Sequence, residues 1–371
     1  MSKAFTATAV LITTMIGAGF LGIPYVVSQS GFAIGTLELI IIGGLVMLTM
    51  LYLGEIVLRT KEHHQLTGYA EKYLGPKVKR AMAFALIAGI YAALIAYLIA
   101  QSQSWSFIIT NTTDAALPLG IAVWAIMSAI TYFDIKALKK TEALIITLIS
   151  ILLVLLVIVT LPLVKADNLT TFVPAEFLAP IGVIMFAFLG YSAIPEMTRI
   201  LGKDKHAMKK SICVAHALVL ATYALFTILV LGAYGTSTPE IATLALGKPF
   251  VLLGIVTMLG AYLALSIALM DAFQSDYQLK KREAWAFTTI IPLALYVLLT
   301  LTNNASFIKI LGIGGIISGS LAMVLILLMV QRAKIHGDRH PEYKMPYSSW
   351  LIWLIIIVCI VAMIAEILKL M

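Results

Sequence analysis

The residues best placed to do chemistry lie at 13 to 25, T-T-M-I-G-A-G-F-L-G-I-P-Y, inside the first long apolar run. Gly17, Gly19, Gly22 and Pro24 crowd into two turns of an expected membrane helix. Glycine weakens a helix and proline removes a backbone donor. In hydrocarbon an unpaired backbone group costs several kcal/mol, so broken backbone at that depth must be buried in protein or line a cavity. An unwound turn presents the N–H groups and positive dipole end of the following half-helix to an anion. Gly17 and Gly19 carry no side chain to block that approach, and carbonyls released around Thr13 and Ile16 can hold a small cation. A zwitterion's carboxylate and a driving ion are then both bound without a charged side chain.

A second interrupted stretch reads A-P-I-G-V-I-M-F-A-F-L-G-Y-S-A-I-P-E-M-T, with Gly190 and Pro195 flanking Tyr191 and Ser192. Carbonyls near Phe188, Leu189 and Tyr191, or the Ser192 hydroxyl, suit an ammonium group. The breaks fall in the first and sixth apolar runs. Five runs separate them, so the second group of five enters the membrane from the opposite side. That is the pattern of an inverted repeat with matching discontinuous helices and a ligand at the midplane. Close packing and kinks are the competing uses of glycine and proline in membrane helices.

The elements that must position these breaks follow from composition. Of 371 residues, 61% are hydrophobic and 12% charged, against roughly 25% charged in a soluble domain. The net charge of +8 sits in short clusters between apolar runs and forms no basic face, which argues against nucleic acid. Cys213 and Cys359 fall in apolar stretches and read as small hydrophobes. No metal site is called for. About 20 apolar residues cross a bilayer. Eleven runs qualify: 4–27, 33–58, 82–110, 117–134, 141–163, 176–200, 209–234, 249–273, 284–302, 306–331 and 350–370. With the N-terminus in the cytoplasm, all of the 26 Lys and Arg except Lys165, Lys248, Lys309 and Lys369 fall on the cytoplasmic side, as positive-inside bias requires. The C-terminus is then extracellular. The first run reads as a retained span, not a signal peptide. Residues 1–163 form the expected first repeat, 176–333 the second, and 334–371 a linker with an accessory eleventh helix, all in one transporter domain. Leu66, Tyr69, Ala70, Tyr73 and Leu74 recur at helical spacing and predict a short amphipathic helix on the inner surface. The loop 235–248 predicts another, from Pro239-Glu240 to Gly247.

Ionisable residues inside the spans are few, and such residues are functional candidates. Glu38 lies inside the outer end of the second span. Glu55 has Arg59 at i+4 and reads as a helix ion pair. Glu196 follows Pro195; it either carries a coupling proton or pairs with Arg199. Asp271 and Asp276 mark the inner end of the eighth span. His216 stands alone in the seventh, where a packing role is the plainer reading. Tyr97, Gln101 and Ser104 share one face of the third span, either as upper pocket wall or as interhelix hydrogen-bonding groups. Gly312, Gly314, Gly315 and Gly319 with Ser318 and Ser320 predict tight helix packing in the tenth.

I-G-A-G-F-L-G-I-P-Y at 16 to 25 resembles the first-helix signature of the amino acid/auxin permease family, in the amino acid–polyamine–cation superfamily. The loop L-T-G-Y-A-E-K-Y-L-G and the stretch F-A-F-L-G-Y-S-A-I-P-E are similar to those of its hydroxy and aromatic amino acid permeases. The resemblance implies an all-α membrane protein of leucine-transporter type: eleven transmembrane helices, a five-plus-five inverted repeat with discontinuous helices 1 and 6, and an added helix 11. It implies secondary amino acid uptake coupled to protons or sodium. Gly17, Ala18 and Gly19 match the carboxylate-binding turn, and Phe188, Gly190, Tyr191 and Ser192 the unwound part of helix six. A sodium site there would draw on Thr13, Ile16 and Ser266, where sodium-coupled relatives have an Asn at position 13.

The sequence thus leads to a multi-pass cell (plasma) membrane transporter that imports a small neutral amino acid, aliphatic or aromatic, by alternating access. Its expected substrate contacts are Ile16, Gly17, Ala18, Gly19, Phe20, Gln101, Phe188, Gly190, Tyr191 and Ser192. Thr13, Ile16 and Ser266 stand for a cation, and Glu196 for a proton. The partners expected are the amino acid and the lipid bilayer, with no nucleic acid; no cofactor is expected beyond the coupling ion, H+ or Na+. The six histidines form no cluster inside the spans, so an embedded enzyme is disfavoured. A transporter-like amino acid sensor and a passive solute channel remain the alternatives.

Overall fold

In the computed structural model, residues 2–133, 142–275 and 277–370 are described. The loop that carries Lys136, Lys139 and Lys140, and Asp276, lie outside the described residues. The described chain is helical in every apolar run. It comprises α1 (Lys3–Met15), α2 (Ile23–Ser30), α3 (Phe32–Arg59), α4 (Leu66–Leu74), α5 (Pro76–Thr110), α6 (Ala116–Phe133), α7 (Glu142–Thr160), α8 (Ile181–Ala187), α9 (Ala193–Leu201), α10 (Ala207–Tyr234), α11 (Thr243–Leu246), α12 (Lys248–Ser275), α13 (Lys281–Leu301), α14 (Phe307–Gly314), α15 (Leu321–His336) and α16 (Ser349–Leu370). Among the described residues seven continuous helices are long and apolar enough to cross a membrane. The pair formed by α1 and Ala18–Ser30 makes an eighth when taken as one span bent by 48°.

Each boundary has a local cause. The Ser2 hydroxyl accepts the Phe5 N–H and caps α1. Pro24 sits in the first turn of α2, where its missing donor is free of cost. Gly31, at φ 89°, closes α2 and opens α3, a conformation a β-carbon resists. Long apolar side chains such as Leu37, Ile40 and Ile41 face outward from α3, whereas Leu39, Val46 and Met50 are buried, as a lipid-bathed bundle requires.

The first and sixth runs are both interrupted. Between α1 and α2 lies a 3-10 turn, Ala18–Gly22; between α8 and α9 lies irregular chain from Phe188 to Ser192. The two interruptions touch: a Cβ on Gly19 would stand 3.0 Å from Ala187 Cα. Behind α8, the tenth run passes through a π-helical segment, Gly315–Ser320, between α14 and α15. A Cβ on Gly315 would collide with the Gly182 carbonyl oxygen, so the glycines of this run do serve backbone-to-backbone packing.

The amphipathic helix α4 forms as its spacing predicts, with Leu66, Tyr69, Ala70 and Tyr73 buried. The loop 235–248 yields less helix than expected. It holds a 3-10 turn at Gly235–Ser237 and the single turn α11, because Glu240 is drawn off to α14 instead.

The segment after α15 departs from the expected linker. The Tyr343 hydroxyl donates to the Leu51 carbonyl at 2.6 Å, and the Tyr52 hydroxyl to the Pro346 carbonyl at 2.7 Å. The fully buried Glu55 carboxylate accepts from Arg59 Nε (2.9 Å), Lys334 Nζ (2.7 Å) and the Met345 N–H (2.8 Å). The ion pair with Arg59 read from sequence is therefore one contact of several. Asp338 takes Lys72 Nζ at 2.5 Å and the Lys61 N–H at 3.0 Å. Residues 337–347 are thus a strap across the ends of α3 and α15, clasped to α4. Buried charge is tolerated here because every Glu55 contact is a donor of good geometry.

The Lys72 ammonium, aided by the Lys61 N–H, holds the Asp338 carboxyl below the ordinary carboxylate range. A lowered folded-state value contributes stability above the ordinary range and loses it as pH falls through the lowered value. Asp338→Asn should therefore speed amide hydrogen exchange across 337–347 at neutral pH. The difference from the wild type should vanish under acid conditions; equal exchange at neutral pH would show the clasp to be idle.

Candidate functional site

The end of α1 builds the first wall. Ile16 (φ −80°, ψ 80°) and Gly17 (φ −104°, ψ −150°) leave the helical region before the 3-10 turn begins. The Ala18 N–H points to the Tyr97 hydroxyl of α5 at 3.4 Å. A Cβ on Gly17 would collide with that same hydroxyl. Glycine at 17 is what lets a phenol come down on the turn.

The end of α8 builds the second wall. Beyond Ala187 the helical ladder lapses, and the chain is held by short turns: Leu189 N–H to Phe186 O at 3.0 Å, Ala193 N–H to Gly190 O at 3.1 Å, and Ile194 N–H to Tyr191 O at 3.2 Å. Both breaks release carbonyls that need donors. The fully buried Tyr223 hydroxyl of α10 lies 2.9 Å from Met15 O and 2.8 Å from Ala187 O. One proton is shared between the last carbonyl of α1 and the last of α8, which ties the two breaks together.

Beside the breaks lies a cavity of about 500 Å³. Its polar residues include Thr14, Tyr97, Tyr191, Ser192, Asp271 and Ser318; Leu86, Ile87, Ile90, Phe186, Leu265 and Leu269 supply apolar wall. It runs from Gly17 and Gly190 toward Gln65, Thr67 and Tyr277, on the side of the bundle where α1 begins and α3 and α12 end. The other side is bolted. Glu240 accepts from Ser306 Oγ at 2.8 Å and from the Ile308 N–H at 3.3 Å, and the Ala242 N–H donates to Leu21 O at 3.1 Å. A pocket with an apolar body and a few converging polar groups suits a small organic ligand with one zwitterionic end.

The structure brings Gly17, Gly19, Gly190, Tyr191 and Ser192 together on the cavity wall. Ala18 lies just behind, its N–H spanning to Tyr97. Ile16 is buried in the break itself. Phe20 packs away from the cavity, stacked on Tyr223 at 6.0 Å and edge-on to Phe226 at 4.9 Å. Phe188 is buried between His216 and Tyr223, and Gln101 gives its Nε2 to Ile255 O at 2.9 Å. These three serve as frame. Of the face Tyr97, Gln101 and Ser104, only Tyr97 reaches the cavity. The Thr13 hydroxyl turns back to Ala9 O and Val10 O, while Ser266 is buried beside Tyr262 on α12, behind Leu265 and Leu269. Neither lines the cavity. Glu196 lies half-exposed in an ion pair with Arg199 at 2.7 Å, the plainer of its two readings. Sequence reasoning missed Tyr223, whose signal was a lone mid-span tyrosine two turns from His216, and the cavity contributions of Gln65, Thr67 and Ser318.

The chain is similar to known proteins both in sequence and in fold. The model of the tryptophan/tyrosine permease family matches residues 1–239 and 240–366. The tyrosine-specific transport system 1 of Haemophilus influenzae is 24% identical, across 94% of this chain and 92% of its own. The amino acid transporter AVT3A of Arabidopsis thaliana is 24% identical, across 80% of this chain and 74% of its own. Glutamine transporter 2 of Aliivibrio fischeri is 22% identical, across 91% and 92%. In fold the chain is similar to the transporter MhsT, solved in complex with L-phenylalanine, with a TM-score of 0.70 over 98% of this chain and 97% of that one at 16% identity. The architecture is therefore of the leucine-transporter type.

Tyr223→Phe keeps the ring and removes the shared donor. The Ala187 carbonyl loses the Tyr223 donor and Met15 O is left with the Gly17 N–H, at a cost of about 1–3 kcal/mol. The thermal midpoint of the detergent-solubilised variant should fall by several degrees, with Phe226→Leu as a packing control. An unchanged midpoint would show that another group already satisfies both carbonyls.

Proposed function

This chain belongs to the tryptophan/tyrosine permease family, whose members move amino acids across membranes rather than transform them, and from that premise we propose that it imports a small neutral amino acid, aliphatic or aromatic, by alternating access. In this reading eleven spans form a five-plus-five inverted repeat with a final added helix, and the N-terminus lies in the cytoplasm. The cavity then opens inward, and the Glu240 contacts close the outer side. That closure disfavours a passive channel.

One observation carries the reading: the Ala18 N–H and the Tyr97 hydroxyl converge at an unwound turn beside a largely apolar cavity. The Tyr97 hydroxyl, which accepts the Ala18 N–H, has its own proton to donate to a carboxylate beside the half-helix N-terminus. The carbonyls of the second break and Ser192 suit an ammonium. The apolar wall then receives the side chain, and the charged residue on that lining, Asp271, belongs to the last turns of α12 and not to the breaks. Neither Thr13 nor Ser266 lines the cavity, and the Thr13 hydroxyl is turned to carbonyls of its own helix, which favours a proton over sodium as the coupling ion.

The reading is tested in proteoliposomes with labelled L-tyrosine, L-phenylalanine and L-leucine. At least one should enter against its gradient when an inward ion gradient is imposed. A pH step without sodium, set against sodium without a pH step, identifies the ion. Gly17→Val, which drives the Tyr97 phenol off the turn, should abolish binding in a folded protein. Tyr97→Phe should weaken it by about tenfold, the value of one hydrogen bond to a charged group. Normal binding by the valine variant would move the site elsewhere.

A further inference from the structure

Resting on the transport reading above, we propose that His216 carries the coupling proton, loading and unloading it as Phe188 shifts with the break in the sixth span. His216 lies in mid-bundle on α10 and is 1% exposed. Neither Nδ1 nor Nε2 has a hydrogen-bond partner; the Gly43 carbonyl of α3 acts on the ring from outside good geometry. An unpartnered imidazole at that depth costs free energy that an apolar ring would avoid. Its ring stacks on Phe188, centroids 4.8 Å apart and planes 17° from parallel. Phe188 ends α8, and its ring lies 5.1 Å from that of Tyr223, which holds Ala187 O. One aromatic ring therefore separates His216 from the backbone that would hold the substrate.

The surroundings leave the ring its own charge to place. Of the elements packed on α10, α8 carries no titratable group, α1 only Lys3 at its exposed start, and α2 only Tyr25. On α7 the one such residue is Glu142, at its start. Glu196 and Arg199 of α9 hold each other, Glu55 and Arg59 of α3 belong to the strap network, and the Tyr52 hydroxyl is taken by Pro346 O. Asp167 is exposed at the outer surface. Glu38 is the remaining carboxyl: it too is buried and unpartnered, about 7 Å outward along α3 from Gly43. A proton on His216 would place a cation on the Phe188 face and against the Gly43 carbonyl. Position of Phe188, and hence of the break, then depends on the proton, and the proton's affinity on the break by the same factor. In each cycle the ring takes one proton from the outer solution, gives it to the inner solution and returns neutral, while one zwitterion crosses. Glu196, the carrier expected from sequence, has no such link to the cavity.

The test uses the full chain in proteoliposomes with labelled L-tyrosine. His216→Gln and His216→Asn should exchange tyrosine across a membrane without a gradient within about threefold of the wild type, yet lose at least about tenfold of the accumulation driven by an acid exterior. Wild-type protein carrying 15N-histidine gives a readout that does not depend on variant folding. The other five histidines lie in loops or at a helix end, so the buried imidazole should be distinguishable, and its protonation state should change when tyrosine is added. Full proton-driven accumulation by either variant, or an imidazole that ignores tyrosine, overturns the assignment. Wild-type exchange without proton-driven accumulation also overturns it while leaving the transport reading intact. No exchange of any amino acid by the wild type sinks the transport reading itself.

Discussion

A helix may be broken inside a bilayer only if the freed backbone finds partners, and here a single phenol meets that demand twice. The Tyr223 hydroxyl sits within hydrogen-bond distance of Met15 O and Ala187 O, the terminal carbonyls of two half-helices that run in different parts of the sequence. The geometry of α1, α8 and α10 at this level is therefore one problem with one solution. The aromatic stack of Phe20, Tyr223 and Phe188 keeps that hydroxyl in place.

From that constraint the rest follows outward. With the carbonyl ends held, α5 can approach because Gly17 has no side chain, and its Tyr97 hydroxyl takes the Ala18 N–H. Span ten supports α8 from behind by contact between glycine backbones, and its π-helical segment keeps Ser318 on the cavity wall. The Ser320 hydroxyl meets Met185 Sδ at 3.3 Å, an undemanding contact that leaves α8 seated mainly by shape. The cavity is a product of irregular backbone, and side-chain charge plays little part in it.

The breaks were legible in the sequence because glycine and proline cluster there against a strong apolar background, and hydrocarbon leaves such clusters few uses. The paired positions in the first and sixth runs were legible for the same reason. What was hidden concerns direction. Gln101, Phe20 and Phe188 lie in the right turns of chain but face frame instead of cavity, and spacing along one helix does not say which neighbour its face will meet. Glu196 followed a proline in a broken span, yet the half-helix turns it to Arg199 and solvent. The strap was hidden most deeply. Its polar composition and its two prolines read as a linker, while its anchors are backbone groups and a carboxylate far away in sequence.

That separation has a consequence for how the molecule is made. Glu55 is synthesised and placed in the membrane early, but its partners are Lys334 and the backbone of Met345. Until the chain has been made through Met345, the carboxylate at the end of α3 lacks two of its three donors. That end of the bundle therefore takes its finished form only once α15 and the strap have been made.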